Sequence, residues 1–145
     1  MTESRAPNDL YETMGLVRIV SVQPEGRAVI EYRAVPAQCH SGGVVQGGFV
    51  SGWIDAAMAH AIMAKTGPDR VPMTLELKVS FFAPARPGVV TAEAWVIKAG
   101  RGTAFVEGTL TDAGGVLLAK SSSTLTLVDR AKVEAASAAA LGASG

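Results

Sequence analysis

One cysteine, Cys39, in 145 residues leaves no partner for an intrachain disulfide and no set of thiolates for a multi-cysteine metal site. Charge of one sign is missing too: 13 basic residues balance 13 acidic ones. No Lys/Arg cluster interleaves with aromatic residues, which removes the electrostatic case for binding nucleic acid or an anionic membrane. No apolar run is long and uninterrupted enough to span a bilayer, because Ser51, Asp55 and His60 break the longest one. The opening "MTESRAPNDLYETMG" has no apolar core of the kind a secretory signal requires. These absences lead to the expectation of a soluble, cytoplasmic chain. At 48% hydrophobic content it is rich enough for one packed domain and too short for two ordinary ones.

What is present is a series of short strand signals around one long apolar stretch. Residues 1–13 read as a loose leader. "VRIVSV" and "RAVIEYRA" flank "QPEG", a hairpin turned by Pro24 and Gly26. Residues 36–46 are irregular and glycine-rich. From about Gly47 to Thr66 the pattern predicts a helix, stopped by "GPDRVP". In "TLELKVSF" Leu75, Leu77, Val79 and Phe81 alternate with polar neighbours, the period of a strand. "VVTAEAWVIK", "TAFVEGTLT" and "VLLAKSSSTLTLV" follow, separated by the turn signals "AGRG" and "DAGG". The expected order is strand, strand, helix and four strands, running as an antiparallel meander. The Ala-rich tail from Asp129 reads as a frayed helix or a disordered segment, so residues 14–128 make the domain.

The helix carries Phe49, Val50, Trp53, Ile54, Met58, Ile62 and Met63 nearly all round its circumference. A helix of that kind needs cover on more than one side, and the only partner long enough is the sheet. The fold class is therefore α+β: one long central helix wrapped by a curled antiparallel sheet of about six strands, the architecture called a hotdog.

Asp55 is the residue this pattern does not explain. At about 100° per residue it shares a narrow stripe of small side chains with Gly48, Ser51, Gly52 and Ala59. An unpaired buried carboxylate is costly, so it needs partners or a chemical task. The glycine pair Gly47–Gly48 stands where the helix begins, where backbone N–H groups and the positive end of the helix dipole favour developing negative charge. A carbonyl oxygen becoming an oxyanion is one such charge. The eight-residue step from Gly47 to Asp55 amounts to about 12 Å along a helix. One helix cannot bring both to one carbonyl. Two antiparallel copies across a two-fold axis can, which predicts a dimer at minimum with two composite sites.

The stretch "HSGGVVQGGFVSGWIDAAMAHAI" resembles the "HGG…D" signature of the PaaI-type hotdog acyl-CoA thioesterases, relatives of the 4-hydroxybenzoyl-CoA thioesterases. "TLELKVSFFAPARPG" and "VIKAGRGTAFVEGTLTDAGGVLLAKSSSTLTLV" are similar to the later strands of that family, and the resemblance runs over roughly residues 14–128. It implies an acyl-CoA thioesterase with Asp55 as nucleophile or general base, the Gly47 N–H of the partner subunit as oxyanion hole, and Thr74 positioning the attacking water. It also implies dimers paired into tetramers, an acyl-CoA substrate without cofactor or metal, and Arg101 and Lys98 as contacts for the phosphates of coenzyme A. The sequence departs from the family pattern twice: Gln46 stands where a His is common, and His40 where an Asn or Gln usually helps hold thioester and water. Gln46 can hydrogen-bond but not titrate, whereas His40 restores a titratable group nearby.

Other readings compete. His40 and Asp55, fifteen residues apart, could serve a hotdog dehydratase or hydratase acting on an acyl thioester, although its acid is usually Glu and a Pro-containing loop is missing. A non-catalytic acyl-CoA-binding protein is a further alternative. Cys39 and His40 do not make a nucleophile pair, since adjacent residues of an extended segment point apart. His60 lies about 140° from Asp55 on the helix and reads as structural. Trp53, Met58, Met73 and Phe82 are candidates to line an acyl or aryl pocket and are equally suited to the core.

Overall fold

The computed structural model describes residues 9–143. Asp9 accepts from the N–H groups of Tyr11 and Glu12 and so caps a short helix, α1 (Leu10–Met14). Residues 10–13 of the expected leader are thus helical, and residues 1–8 lie outside the described residues. Strands β1 (Leu16–Gln23) and β2 (Arg27–Ala34) form the hairpin expected around Pro24 and Gly26. A 3-10 turn at Pro36–Gln38 leads to two short strands, β3 (Cys39–His40) and β4 (Val44–Val45), closed by Gly42 and Gly43 at φ 94° and 71°. Such φ values suit glycine, which explains the "SGG" of this turn. Helix α2 (Gly47–Thr66) follows, with the expected bounds. Then come β5 (Arg70–Phe81), β6 (Gly88–Ala99), β7 (Thr103–Asp112), β8 (Leu117–Asp129) and a last helix, α3 (Arg130–Ala143), which lies largely exposed.

The six longer strands make one antiparallel sheet in the order β1-β2-β6-β7-β8-β5. The simple meander is therefore corrected. β1–β2 and β6–β7–β8 follow one another, but β5 crosses to the far edge and pairs with β8, while β2 takes β6 as neighbour. Pro72 lies within β5, tolerated because an edge strand does not need every N–H in a ladder. A bulge between Thr74 and Glu76 leaves Leu75 two-thirds exposed on that edge.

The sheet curls around one half of α2, burying Val50, Trp53, Ile54, Ala57, Met58, Ala61 and Ile62. Helix and sheet approach closely at Gly108, where a Cβ would stand 2.7 Å from Ile54 Cγ2 and 3.0 Å from the Glu93 carbonyl oxygen. Any side chain there would force α2 off β7. Trp53 stacks on Tyr32 with ring centroids 5.9 Å apart, and its Nε1–H donates to the Met14 carbonyl at 2.8 Å, tying α1 to the helix. The cover is not complete. The small stripe of α2 remains half-exposed between β5 on one side and α1 on the other, where the Met14 methyl lies 3.1 Å from the position of a Cβ on Gly52. Small residues cannot fill that side, so the stripe stays open.

Candidate active site

Helix α2 presents two chemically different places. At its start Gln46 is the N-cap, and its side-chain Oε1 accepts from the Gly48 N–H at 2.7 Å. The two glycines therefore differ. A Cβ on Gly48 would meet that Oε1 at 2.7 Å, so Gly48 is small to admit the cap, and its N–H is taken. The expectation that both N–H groups are free is corrected at Gly48. The Gly47 N–H has no acceptor among the described residues, as befits a first-turn donor. A Cβ on Gly47 would come within 3.3 Å of the Phe81 ring, so its absence lets that ring close over the helix start.

Gly47 opens into a cavity of about 430 Å³ walled by Val44, Val45, Val50 and the run Phe81–Ala85, with His40 on its rim. The walls come together because the Val45 N–H donates to the Ala85 carbonyl at 2.8 Å, holding β4 against the connection from β5 to β6. His40 is exposed, and its Nδ1 lies 2.9 Å from the Ser41 carbonyl oxygen. That bond sets Nδ1 as the donor and turns Nε2 outward. The structure thus brings Gly47, Gln46 and His40 to one end of α2.

Two turns along, Asp55 is half-buried on the small stripe, not enclosed in the core. Its Oδ1 accepts from Thr74 Oγ1 at 2.9 Å. Thr74 faces the helix from edge strand β5 and holds the carboxylate in one orientation. Asp55 and Thr74 are thus brought together, but neither lines the cavity at Gly47.

Arg101 and Lys98 stand elsewhere, exposed around the turn between β6 and β7. The Arg101 carbonyl accepts from the Arg70 guanidinium, and neither residue lines the cavity. His60 lies apart from both places, its Nδ1 2.8 Å from the Ala56 carbonyl oxygen and its ring near Tyr11. Trp53 and Met58 belong to the core, whereas Phe82 is in the cavity wall. Sequence reasoning passed over Phe81, Pro84 and Ala85 as strand end and turn. The signal was there: two consecutive Phe residues and a Pro just where a strand stops. Among the described residues no cluster of His, Cys, Asp and Glu is arranged to hold a metal ion, and no helix is long and apolar enough to cross a membrane.

The thioesterase superfamily model matches residues 42–119, which include the cavity walls, Asp55 and Thr74. A protein of Saccharolobus solfataricus whose name marks it as an esterase candidate is 33% identical over 106 residues, spanning 72% of this chain and 74% of its own. The crystal structure of a phenylacetic acid degradation-related protein of Ralstonia eutropha JMP134 is 30% identical, with a TM-score of 0.76 over 86% of this chain and 92% of its own. A Streptococcus mutans protein solved bound to acetyl CoA shares the fold at 18% identity, with a TM-score of 0.70 over 77% of this chain and 87% of its own.

Proposed function

Because this chain belongs to the thioesterase superfamily, in its PaaI-type hotdog branch, we propose that it hydrolyses an acyl-CoA thioester to the free acid and coenzyme A at a site built from two subunits. The observation that carries the reading is the Thr74–Asp55 hydrogen bond on the uncovered stripe of α2. A carboxylate held in one orientation beside open space has a task other than packing. The coenzyme A ester bound in the S. mutans relative makes acyl-CoA the natural substrate class.

The division of the two places along one helix is what calls for a second copy. β5 ends the sheet, with no strand beyond it among the described residues and with Met73, Leu75 and Phe81 exposed, which is a surface that invites pairing with another chain. A second β5 laid antiparallel along that edge sets the two α2 helices side by side, stripe to stripe. Asp55 of one subunit then faces Gly47 of the other. Two such dimers pair into a tetramer.

In this site the thioester carbonyl oxygen takes the free Gly47 N–H, joined by the carboxamide N–H of Gln46, whose oxygen is already engaged. His40 stands at the mouth of the same cavity. Asp55 either attacks the carbonyl carbon, giving an anhydride that water then opens, or removes a proton from a water that attacks directly; Thr74 holds the carboxylate and that water. In both routes the C–S bond breaks, coenzyme A thiolate leaves, and a proton from water ends on the sulfur. Arg101 and Lys98 serve as phosphate contacts at the far end of the coenzyme.

Thiol release from short, medium, long and aryl acyl-CoAs tests this, with wild type beside Asp55→Ala. The expected loss is about 10²–10⁴-fold, the range for a general acid–base residue, at unchanged fold and assembly. Light scattering on the same samples reads the oligomer. Activity that survives Asp55→Ala, or a fully active monomer, would sink the proposal.

A further inference from the structure

The geometry points to an anion-recognition rim at the mouth of the Gly47 cavity, formed by Arg86 and His40, that selects thioesters bearing a phosphate or carboxylate at the end away from the reacting carbonyl. This rests on the proposed entry of an acyl thioester into that cavity. Arg86 follows Ala85 and lines a groove that adjoins the cavity, Pro84 being a wall of both. Its Nη1 donates to the Gly42 carbonyl at 3.3 Å, which lays the guanidinium against the β3–β4 turn that also carries His40. Both side chains are exposed.

Arg18, Arg27 and Arg130 each pair with a glutamate, but Arg86 pairs with no carboxylate among the described residues. The acid that shares the neighbouring groove is Asp112, and its Oδ1 already accepts from the Gly114 and Val116 N–H groups. Four of the five guanidinium N–H donors of Arg86 therefore remain for a ligand. Gly42 adds room, since nothing lies within 4 Å of where its Cβ would be.

The cavity itself offers mainly apolar walls. A ligand whose reacting end sits at Gly47 can bury uncharged atoms there, but a charge at its other end must stay at the mouth. A planar fork with an imidazole nearby matches the oxygens of a phosphate or a carboxylate. The anion is then either a phosphate of the coenzyme or a carboxylate ending the acyl group.

Three substrates separate these sources: benzoyl-CoA, benzoyl-N-acetylcysteamine, which lacks every phosphate, and glutaryl-N-acetylcysteamine, which carries only an acyl carboxylate. Wild type, Arg86→Gln and Arg86→Lys are compared by kcat and KM. If the rim holds a coenzyme phosphate, Arg86→Gln raises KM for benzoyl-CoA roughly tenfold and leaves both cysteamine esters alone. If it holds an acyl carboxylate, the same variant raises KM only for the glutaryl ester. Arg86→Lys keeps the charge but loses the fork and recovers part of the effect in either case. An equal change with all three substrates means that Arg86 merely braces the Gly42 turn, and no change with any means that it binds nothing; both overturn the inference. Wild type inert towards all three breaks the thioesterase proposal instead. Calorimetric affinity for coenzyme A and for the glutaryl ester then judges the rim, which falls if wild type and Arg86→Gln bind both equally.

Discussion

Under the proposed function, the start and the middle of helix α2 each supply half of a chemical apparatus. The start has a cavity, a glycine N–H with no acceptor among the described residues and a histidine at the rim, but no carboxylate. The middle has a carboxylate oriented by a hydroxyl, on a stripe too small to enclose anything. Neither half explains itself within one chain. A core helix has no use for an aspartate on a glycine and alanine stripe, and a capped helix start has no use for a cavity of several hundred cubic ångströms. Distance along a rigid helix keeps the halves apart in one chain, so their combination needs a partner, and in the proposed dimer that rigidity becomes the device that sets register between two subunits.

The strongest way to break this comparison is to disable one half in each subunit. Asp55→Ala and Gly47→Val are each expected to lose activity by orders of magnitude. Gly47→Val pushes a side chain towards the Phe81 ring and into the space the thioester oxygen would use. Refolded together from a denatured equimolar mixture, they should regain roughly a quarter of wild-type activity: half of the dimers are mixed, and each mixed dimer has one intact site of two. Thiol release after co-refolding measures it. No recovery, with mixed dimers demonstrated by mass spectrometry, would mean that each chain works alone or that the halves do not meet.

A smaller change sharpens the middle half. Thr74→Val keeps shape but removes the hydroxyl that donates to Asp55 Oδ1. A hydrogen bond to a charged group is worth roughly 1.5–3 kcal/mol where it is shielded, so kcat should fall by about tenfold or more, with little effect on stability because Thr74 is exposed on an edge strand. Unchanged kcat would assign Thr74 to packing of the edge.

The difference between the halves also tracks what sequence could reveal. The bounds of α2 were legible because its apolar run and the "GPDRVP" stop are local signals. Asp55 was legible because a lone acid violates the pattern around it. The crossing of β5 to the outer edge was not, because the partner of a strand is chosen by long-range packing on α2 and by which edge remains free; Pro72 was the one local hint. The cavity was hidden for a related reason. Its walls come from β4, the start of α2 and the β5–β6 connection, residues about 40 apart in sequence that meet through the Val45–Ala85 bond. The distinct tasks of Gly47 and Gly48 could not be separated until the Gln46 side chain was seen folding back onto one of them.

Both halves depend on α2 being a fixed platform, and the Tyr32–Trp53 stack beneath it offers a test through pH. Burial pushes the Tyr32 phenol up to about 12 from its ordinary 10, with Tyr11 adding to the shift. A folded-state value above the unfolded one means that the unfolded chain releases this proton first, so the contribution is intact below pH 10 and fades as pH rises through 12. Two units correspond to roughly 2–3 kcal/mol lost across that window. Urea midpoints between pH 9 and 12 should fall for wild type and fall less steeply for Tyr32→Phe. Parallel slopes would show that another group governs alkaline unfolding.

The smallest effect is expected at the cap. Gln46 accepts from the Gly48 N–H at 2.7 Å, and Gln46→Ala removes that acceptor while leaving the Gly47 N–H as it was. Losing a side-chain N-cap costs about 1 kcal/mol, which appears as a shift of a few degrees in Tm for a domain of this size. If capping is all that Gln46 does, kcat on acyl-CoA follows the folded fraction and stays near wild type below the transition. If its carboxamide N–H also helps the Gly47 N–H hold the thioester oxygen, kcat falls by more than the cap accounts for, while KM changes little, because that donor would be felt chiefly as the oxygen gains charge. Gln46→Glu separates the two cleanly. It keeps a side-chain acceptor for Gly48 and favours the helix dipole, so stability should hold or rise, but it places a negative charge beside the developing oxyanion and should lower kcat further than alanine does. A Glu variant as active as wild type would confine the start of α2 to structure and leave the Gly47 N–H to act alone.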